Sequence, residues 1–248
     1  MFTVEDRARL RAELLADAAA DVRLSGAAIT GSGAAGREDR WSDVDLAFGV
    51  RDGAAVAEVL DAWSARMYGR YGAVDHVDVQ AGAWIYRVFL LRSTLQVDLA
   101  FAPAAEFRPL GPAFRLITGA AGEAALAPAA HPGWLAGMAW LYALHARSAL
   151  ARGKRWQAEY MISGVRDYAL ALACTRYGLA TAHGRGIDEL PAEVTSTFEA
   201  ALVRGLDREE LARAFHAAMD ALMGELRAAD PALAERLKQT LLEIAAEL

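Results

Sequence analysis

The sequence predicts an α+β protein, with an α/β first half and an all-α second half. Three observations carry that reading. Short apolar runs of strand length crowd into residues 26–101. Stretches between them repeat their apolar residues at helical spacing. After His131-Pro132-Gly133 only long helical patterns remain. A chain of 248 residues suffices for one large domain or two small ones. The change of texture divides it into residues 1–125 and 133–248, hinged around 120–132.

Residues 4–22 place Val4, Leu10, Leu14, Leu15, Ala18 and Val22 at the spacing of an amphipathic helix. Gly26–Thr30 is a first strand and Val44–Val50 a second. Ala54–Tyr71 returns to helical spacing through Val56, Val59, Leu60, Trp63 and Met67. Three strand-like runs follow, Val74–Val79, Trp84–Leu91 and Thr94–Phe101, the last two forming a hairpin at Arg92-Ser93. The proline-containing stretch from Phe101 to Pro112 closes the strand-rich part. Four helical patterns occupy 133–151, 154–178, 191–204 and 207–247, the last broken near Asp230-Pro231, because proline cannot continue a helix. Asp207, with Glu210 three residues on, fits a capping box.

Composition bounds the function. Hydrophobic residues make up 55% and charged residues 23%, which marks a globular chain rather than a disordered one. The net charge is −6, and the 13 basic and 17 acidic residues before position 130 are followed by 13 and 15 after it. Neither half is basic, so wrapping a nucleic-acid backbone is not the main activity. A cationic small substrate suits this balance better. The one cysteine, Cys174 in ALALACTRY, reads as a helix core residue and permits no intrachain disulfide, in keeping with a reducing cytoplasm. The N-terminus lacks the apolar core of a signal peptide, and the longest apolar run, near Leu135–Leu144, is too short to span a bilayer. No membrane partner is expected.

The chemistry concentrates in ITGSGAAGREDRWSDVDLAF, Ile29 to Phe48. Gly31, Gly33 and Gly36 match a dinucleotide-binding fingerprint, and Asp52 stands about 20 residues on, where such a fold carries an acid. That fold also needs a crossover helix. Only Arg37 to Asp43 separate Gly36 from the next strand, where a parallel crossover takes about a dozen residues or more. The glycine match is coincidental.

A phosphate loop feeding a metal site fits the same spacing. A strand ending at Thr30 delivers Gly31-Ser32, whose backbone N–H groups and hydroxyl can face phosphate oxygens, and a glycine lets the main chain approach closely. Asp43 and Asp45, two residues apart in a strand, project to one face while Val44 and Leu46 pack behind. Carboxylates that close repel unless a cation lies between them, and Mg²⁺ takes oxygen ligands while keeping substrate phosphates in its shell. In Thr94–Phe101, Leu95, Val97, Leu99 and Phe101 alternate with Gln96, Asp98 and Ala100, leaving Asp98 the lone charge on its face. Beside a metal pair it can bridge a second Mg²⁺ or take a proton from an attacking hydroxyl. By itself it could equally be a solvated residue of a half-exposed strand.

Gly31-Ser32, a short loop, Ser42-Asp43-Val44-Asp45-Leu46 and a third aspartate in a later strand resemble the DNA polymerase β-type nucleotidyltransferase superfamily. The likeness in motif covers residues 26–101. With the trailing helices, the chain looks most like the bacterial antibiotic nucleotidyltransferases that modify aminoglycosides or lincosamides. The resemblance implies a catalytic domain built on a mixed sheet with flanking helices, followed by a helical domain on the acceptor side, with substrate lying between the two. It implies transfer of a nucleoside monophosphate from Mg²⁺-bound ATP, or another NTP, to a hydroxyl of a small molecule, with release of pyrophosphate. On this resemblance Gly31 and Ser32 hold the triphosphate. Asp43 and Asp45 bind metal, with two Mg²⁺ ions expected, and Asp98 is the third carboxylate or base. Ser42 contacts phosphate or caps its turn. The loop departs from many members in carrying Glu38 and Asp39 beside Arg37 and Arg40. Some relatives are dimers, so a homodimer belongs to the same expectation. Two alternatives stay open: a protein- or RNA-modifying transferase of antitoxin type, and a silent nucleotide-binding module.

Weaker features are read as follows. Asp75 and Asp78 flank His76, but a spacing of three puts them on opposite faces of a strand, so they are surface. His131 is a linker element, and His145, His183 and His216 have no partners at metal-site spacing. Lys154 and Arg155 open a helix, which makes Lys154 a candidate clamp for leaving pyrophosphate, with a solvated helix start as the plain alternative. Glu159 and Asp167 read as surface. Trp134, Trp140 and Trp156 read as interdomain core.

Overall fold

The computed structural model describes residues 1–125 and 130–246. The chain divides into two compact units, Met1–Ala127 and Pro128–Leu248. The expected hinge at 120–132 lies partly outside the described residues, as does the end of the last helical pattern.

The first unit is a six-stranded mixed sheet with flanking helices. Its elements are α1 (Val4–Ala20), β1 (Leu24–Thr30), α2 (Gly31–Ala35), β2 (Val44–Val50), α3 (Val56–Gly69), β3 (Ala73–Ala81), β4 (Trp84–Leu91), β5 (Gln96–Pro103) and β6 (Phe114–Gly119). The strand order is β3-β4-β5-β2-β1-β6. Only β2 and β5 run parallel; the other neighbours are antiparallel. The antiparallel β1–β2 pair, joined by a short helix and a loop, removes the dinucleotide-binding topology, which needs parallel strands around its glycine turn.

Alternation explains the layers. Val44, Leu46, Phe48 and Val50 of β2 and Val97, Leu99 and Phe101 of β5 fall on one face, where they pack with Leu14 and Ala18 of α1 and Val59, Trp63 and Met67 of α3. Phe48, Trp63 and Phe101 form the centre of this layer, with ring centroids 4.7, 5.2 and 6.1 Å apart. The opposite face carries small residues, Ala28, Ala47, Ala100 and Ala102, covered by Phe107 and Trp84.

Most expected elements occur within a few residues of their predicted ends, but two were missed. The glycine-rich stretch after Thr30 forms the one-turn helix α2 rather than a loop. A sixth strand, β6, follows the proline-containing stretch and pairs with β1. Its exposed edge position leaves no alternating pattern to read, since Arg115, Leu116 and Ile117 in sequence are all exposed. The β4–β5 hairpin turns through Arg92, Ser93 and Thr94, closed by Leu91 N–H to Leu95 O at 2.9 Å, with Thr94 at φ 71°.

The second unit is all helix and turn: α4 (Pro132–Ala151), α5 (Arg155–Arg176), α6 (Ala192–Glu199), α7 (Arg208–Ala229) and α8 (Pro231–Ala246). Its core is rich in alanine, with Ala139, Ala143, Ala146 and Ala149 of α4 fully buried against Ala158, Ile162 and Val165 of α5. Cys174 is buried in this core, and burial pushes its thiol pKa up. One expectation needs correction. Asp207 caps α7 through Glu210 N–H, but the Glu210 carboxylate accepts from Arg204 N–H instead of returning to Asp207, so the box is half formed. Trp134, Trp140 and Trp156 are 55%, 37% and 76% exposed and lie outside the buried core of the helical unit itself. Among the described residues no helix is long and apolar enough to cross a membrane.

Candidate active site

Strand register builds the site. In the parallel β2–β5 pair Asp45 lies directly opposite Asp98, and three positions on Phe48 lies opposite Phe101. The same alternation that buries the phenylalanines turns both carboxylates to the other face. Asp43 stands one residue before β2 and joins them. One oxygen from each of Asp43, Asp45 and Asp98 lies within 4.8 Å of the others, and all three side chains are half-buried. Three carboxylate oxygens that close form a donor set suited to a hard cation such as Mg²⁺.

The Gly31-Ser32 turn abuts this cluster. Gly31 has φ +59°, in the left-handed region, and a Cβ on it would fall 2.1 Å from Asp45 Oδ2. Only glycine lets the main chain lie against that carboxylate. Ser32 Oγ is buried and has no hydrogen-bond partner among the described residues. A buried hydroxyl without a protein partner is costly and leaves its bonding capacity to a water or a ligand that enters the site.

Ser42, expected either to contact phosphate or to cap its turn, is hydrogen-bonded within that turn. Its hydroxyl accepts from Asp39 N–H at 2.9 Å and donates to Asp39 Oδ1 at 3.0 Å. Trp41 N–H also donates to Asp39 Oδ1, at 2.8 Å. These donors, Trp41 N–H foremost, hold the Asp39 carboxyl below its usual pKa. A cavity of about 300 Å³ opens beside Asp43, lined by Phe2, Arg40, Trp41, Leu95 and Gln96 among others. Trp41 is 74% exposed there, with the Arg40 guanidinium 4.6 Å from its ring centroid.

Two contributors were not expected from the sequence. Gln96 Nε2 donates to Asp98 Oδ1 at 2.9 Å and to Asp43 Oδ2 at 3.3 Å, spreading a polar contact across the cluster. Its signal was present, since Gln96 is two residues before Asp98 in one strand. The other is Arg7, a charged residue on the apolar stripe of α1, 3% exposed. Lys154 belongs to the helical unit, where it is exposed and caps α5 without a side-chain hydrogen bond to the helix.

The decoys resolve into structural roles. Asp78 accepts from Arg87 Nε and Nη2, both at 2.7 Å, while Arg87 Nη1 donates to Ser64 Oγ at 2.7 Å. Asp75 Oδ1 accepts from His76 N–H. His131 caps α4 by accepting from Gly133 N–H at 3.1 Å.

No protein-family model matches the chain, and no curated protein matches its sequence. Among solved structures it is similar to an aminoglycoside 6-adenyltransferase from Bacillus subtilis, at 12% identity and a TM-score of 0.41. That match covers 93% of this chain and 95% of the other.

Proposed function

We propose that the protein is a nucleotidyltransferase, moving a nucleoside monophosphate from a Mg²⁺-bound NTP, ATP by preference, to a hydroxyl of a small acceptor. One observation carries this reading: the carboxylates of Asp45 and Asp98 on two parallel strands, and of Asp43 just ahead of the first, converge beside a glycine-serine turn whose buried hydroxyl has no partner among the described residues.

The residues fit a metal-bound triphosphate. Asp43 and Asp45 would hold the cation with Asp98, and Mg²⁺ would neutralise phosphate charge and lower the barrier at phosphorus. Gly31 brings the main chain close and Ser32 offers its hydroxyl to a phosphate oxygen. The acceptor oxygen attacks the α-phosphorus, the bond from that phosphorus to the bridging oxygen breaks, and pyrophosphate leaves with the electron pair. Asp98 takes the acceptor proton. Gln96, donating to Asp98 and Asp43, holds both carboxylates in place while that proton moves.

The cavity beside Asp43 is where the acceptor would lie, and its Trp41 wall suits the apolar face of a ring. The net charge of −6 favours a cationic acceptor such as an aminoglycoside. Lys154 remains a candidate for the leaving pyrophosphate.

The test is release of pyrophosphate from each NTP with Mg²⁺ and a panel of hydroxyl acceptors, aminoglycosides included. Turnover abolished by Asp98→Asn supports the reading. Silence across all NTPs and acceptors counts against it, and NTP binding unaffected by Asp98→Asn would favour a silent nucleotide-binding module.

A further inference from the structure

The loop that delivers Asp43 is tied down from a distant part of the chain. The Arg7 guanidinium, buried in the first turns of α1, donates through Nη1 to the main-chain carbonyls of Asp39 and Ser42, the latter at 3.0 Å. Its Nε lies 3.4 Å from Glu38 Oε1. Arg11, one turn further along α1, donates to the same Glu38 oxygen. The α2 turn is part of the arrangement, because a Cβ at Gly33 would sit 3.1 Å from Arg11 Nη1 and 3.4 Å from Glu38 Oε1. The helix that carries both arginines is anchored just ahead of them by a complete capping box between Thr3 and Asp6.

These contacts have a pattern that a generic surface ion pair lacks. Arg7 is 3% exposed, and its partners are the residue just before Asp43 and the residue that opens the same turn. A guanidinium presents several donors in a fixed plane, so it fixes the separation of the two carbonyls it reaches as well as their positions. Arg40 Nη2 also makes an exposed contact to Met1 Sδ at 3.1 Å; the loop's remaining side-chain hydrogen bonds among the described residues 38–42 are short-range ones joining Asp39, Trp41 and Ser42. Those shape the turn but do not attach it to the rest of the fold.

We infer that Arg7 is a positioning residue: with Arg11 and Glu38 it straps residues 38–42 to α1 and thereby fixes Asp43 in the geometry that binds a divalent cation with Asp45 and Asp98. This rests on the metal-binding reading of the three aspartates. Partners behind metal ligands typically change metal affinity by about 10–100-fold when removed.

Mn²⁺ serves as the probe, with binding followed by the loss of its free-ion paramagnetic resonance signal. In wild type, Mn²⁺ should bind and Asp45→Asn should abolish that binding. Arg7→Met should raise the Mn²⁺ dissociation constant about tenfold or more, with Arg7→Lys in between. Arg9→Ala, which removes an exposed arginine paired with Asp6, should leave it unchanged. Hydrogen exchange should quicken in Arg7→Met at amides 38–43 and stay slow at Leu46–Val50 of β2. If Arg7→Met does not fold, Glu38→Gln replaces it, with the same directions expected. Unchanged Mn²⁺ affinity, or unchanged exchange in the loop, overturns the strap while leaving the metal reading intact. Wild-type protein with no Mn²⁺ site sensitive to Asp45→Asn overturns the metal reading and the strap with it.

Discussion

Asp45 and Asp98 face each other as register partners across the parallel strands β2 and β5, on the side opposite Phe48 and Phe101. Without a cation, two charges about 4 Å apart repel by roughly 1–4 kcal/mol, depending on how much water screens them. The hydrophobic layer behind the sheet supplies the stability that holds them there. Asp45→Asn should therefore raise the melting temperature in metal-free buffer while abolishing the stabilisation that Mg²⁺ gives the wild type. Thermal melts with and without Mg²⁺ check both halves, and a variant that melts lower without metal and still responds to Mg²⁺ contradicts them.

Gly31→Ala brings a methyl group onto Asp45 Oδ2 and forces a non-glycine residue into a left-handed conformation. The conformation alone costs about 1–2 kcal/mol. The carboxylate must also move away, so the cation response should weaken together with stability. Urea unfolding measures the first effect and Mg²⁺-dependent melting the second. A variant that loses stability but keeps full Mg²⁺ response would mean that Gly31 only serves the turn.

Ser32→Ala separates a ligand role from a structural one. The hydroxyl is buried with no partner among the described residues, so its removal breaks no hydrogen bond in the fold and relieves a desolvation cost, and stability should hold or rise, by up to about 1–3 kcal/mol. Nucleotide binding should weaken, read as a higher KM for Mg-ATP or as a smaller thermal shift with it. A destabilised variant with unchanged nucleotide affinity would speak for structure alone.

Asp21 gives a pH-dependent stability unrelated to the site. Its carboxylate accepts from the Arg23 side chain, from Arg23 N–H and from the Trp63 indole N–H, and these hold its pKa at about 2. A carboxylate with a lowered folded pKa stabilises the protein above its unfolded pKa and loses that contribution as pH falls. Here the window runs from the ordinary aspartate value near 4 down to about 2. The stabilisation is roughly 2 kcal/mol. Asp21→Asn should lower stability by about that amount at pH 7, with the gap closing as pH falls through the window. Denaturation curves at several pH values test this, and a gap independent of pH would assign the effect to packing.

Much of the fold was legible because periodicity is local. β2 and β4 occur with their expected ends, since β-branched and aromatic runs between polar turns leave little alternative. β6 was hidden because an exposed edge strand has no buried face to impose alternation. Ser42 and Lys154 illustrate a different limit. Their residue types allow a phosphate contact, which local sequence cannot decide; the Ser42 hydroxyl bonds Asp39 in its own turn, and Lys154 lies in the helical unit.

What the sequence alone determined is the local content: which segments are helix or strand, which face of each strand is apolar, and that Asp43, Asp45 and Asp98 stand apart from the core. Those follow from side-chain period and polarity along a few consecutive residues. The tertiary structure alone decided that β5 lies parallel to β2 with Asp45 opposite Asp98, that Gln96 reaches two of the carboxylates, and that Arg7 holds a loop more than 30 residues away. Register between strands distant in sequence is set by the packing of the whole layer against α1 and α3. No short stretch of residues contains that information.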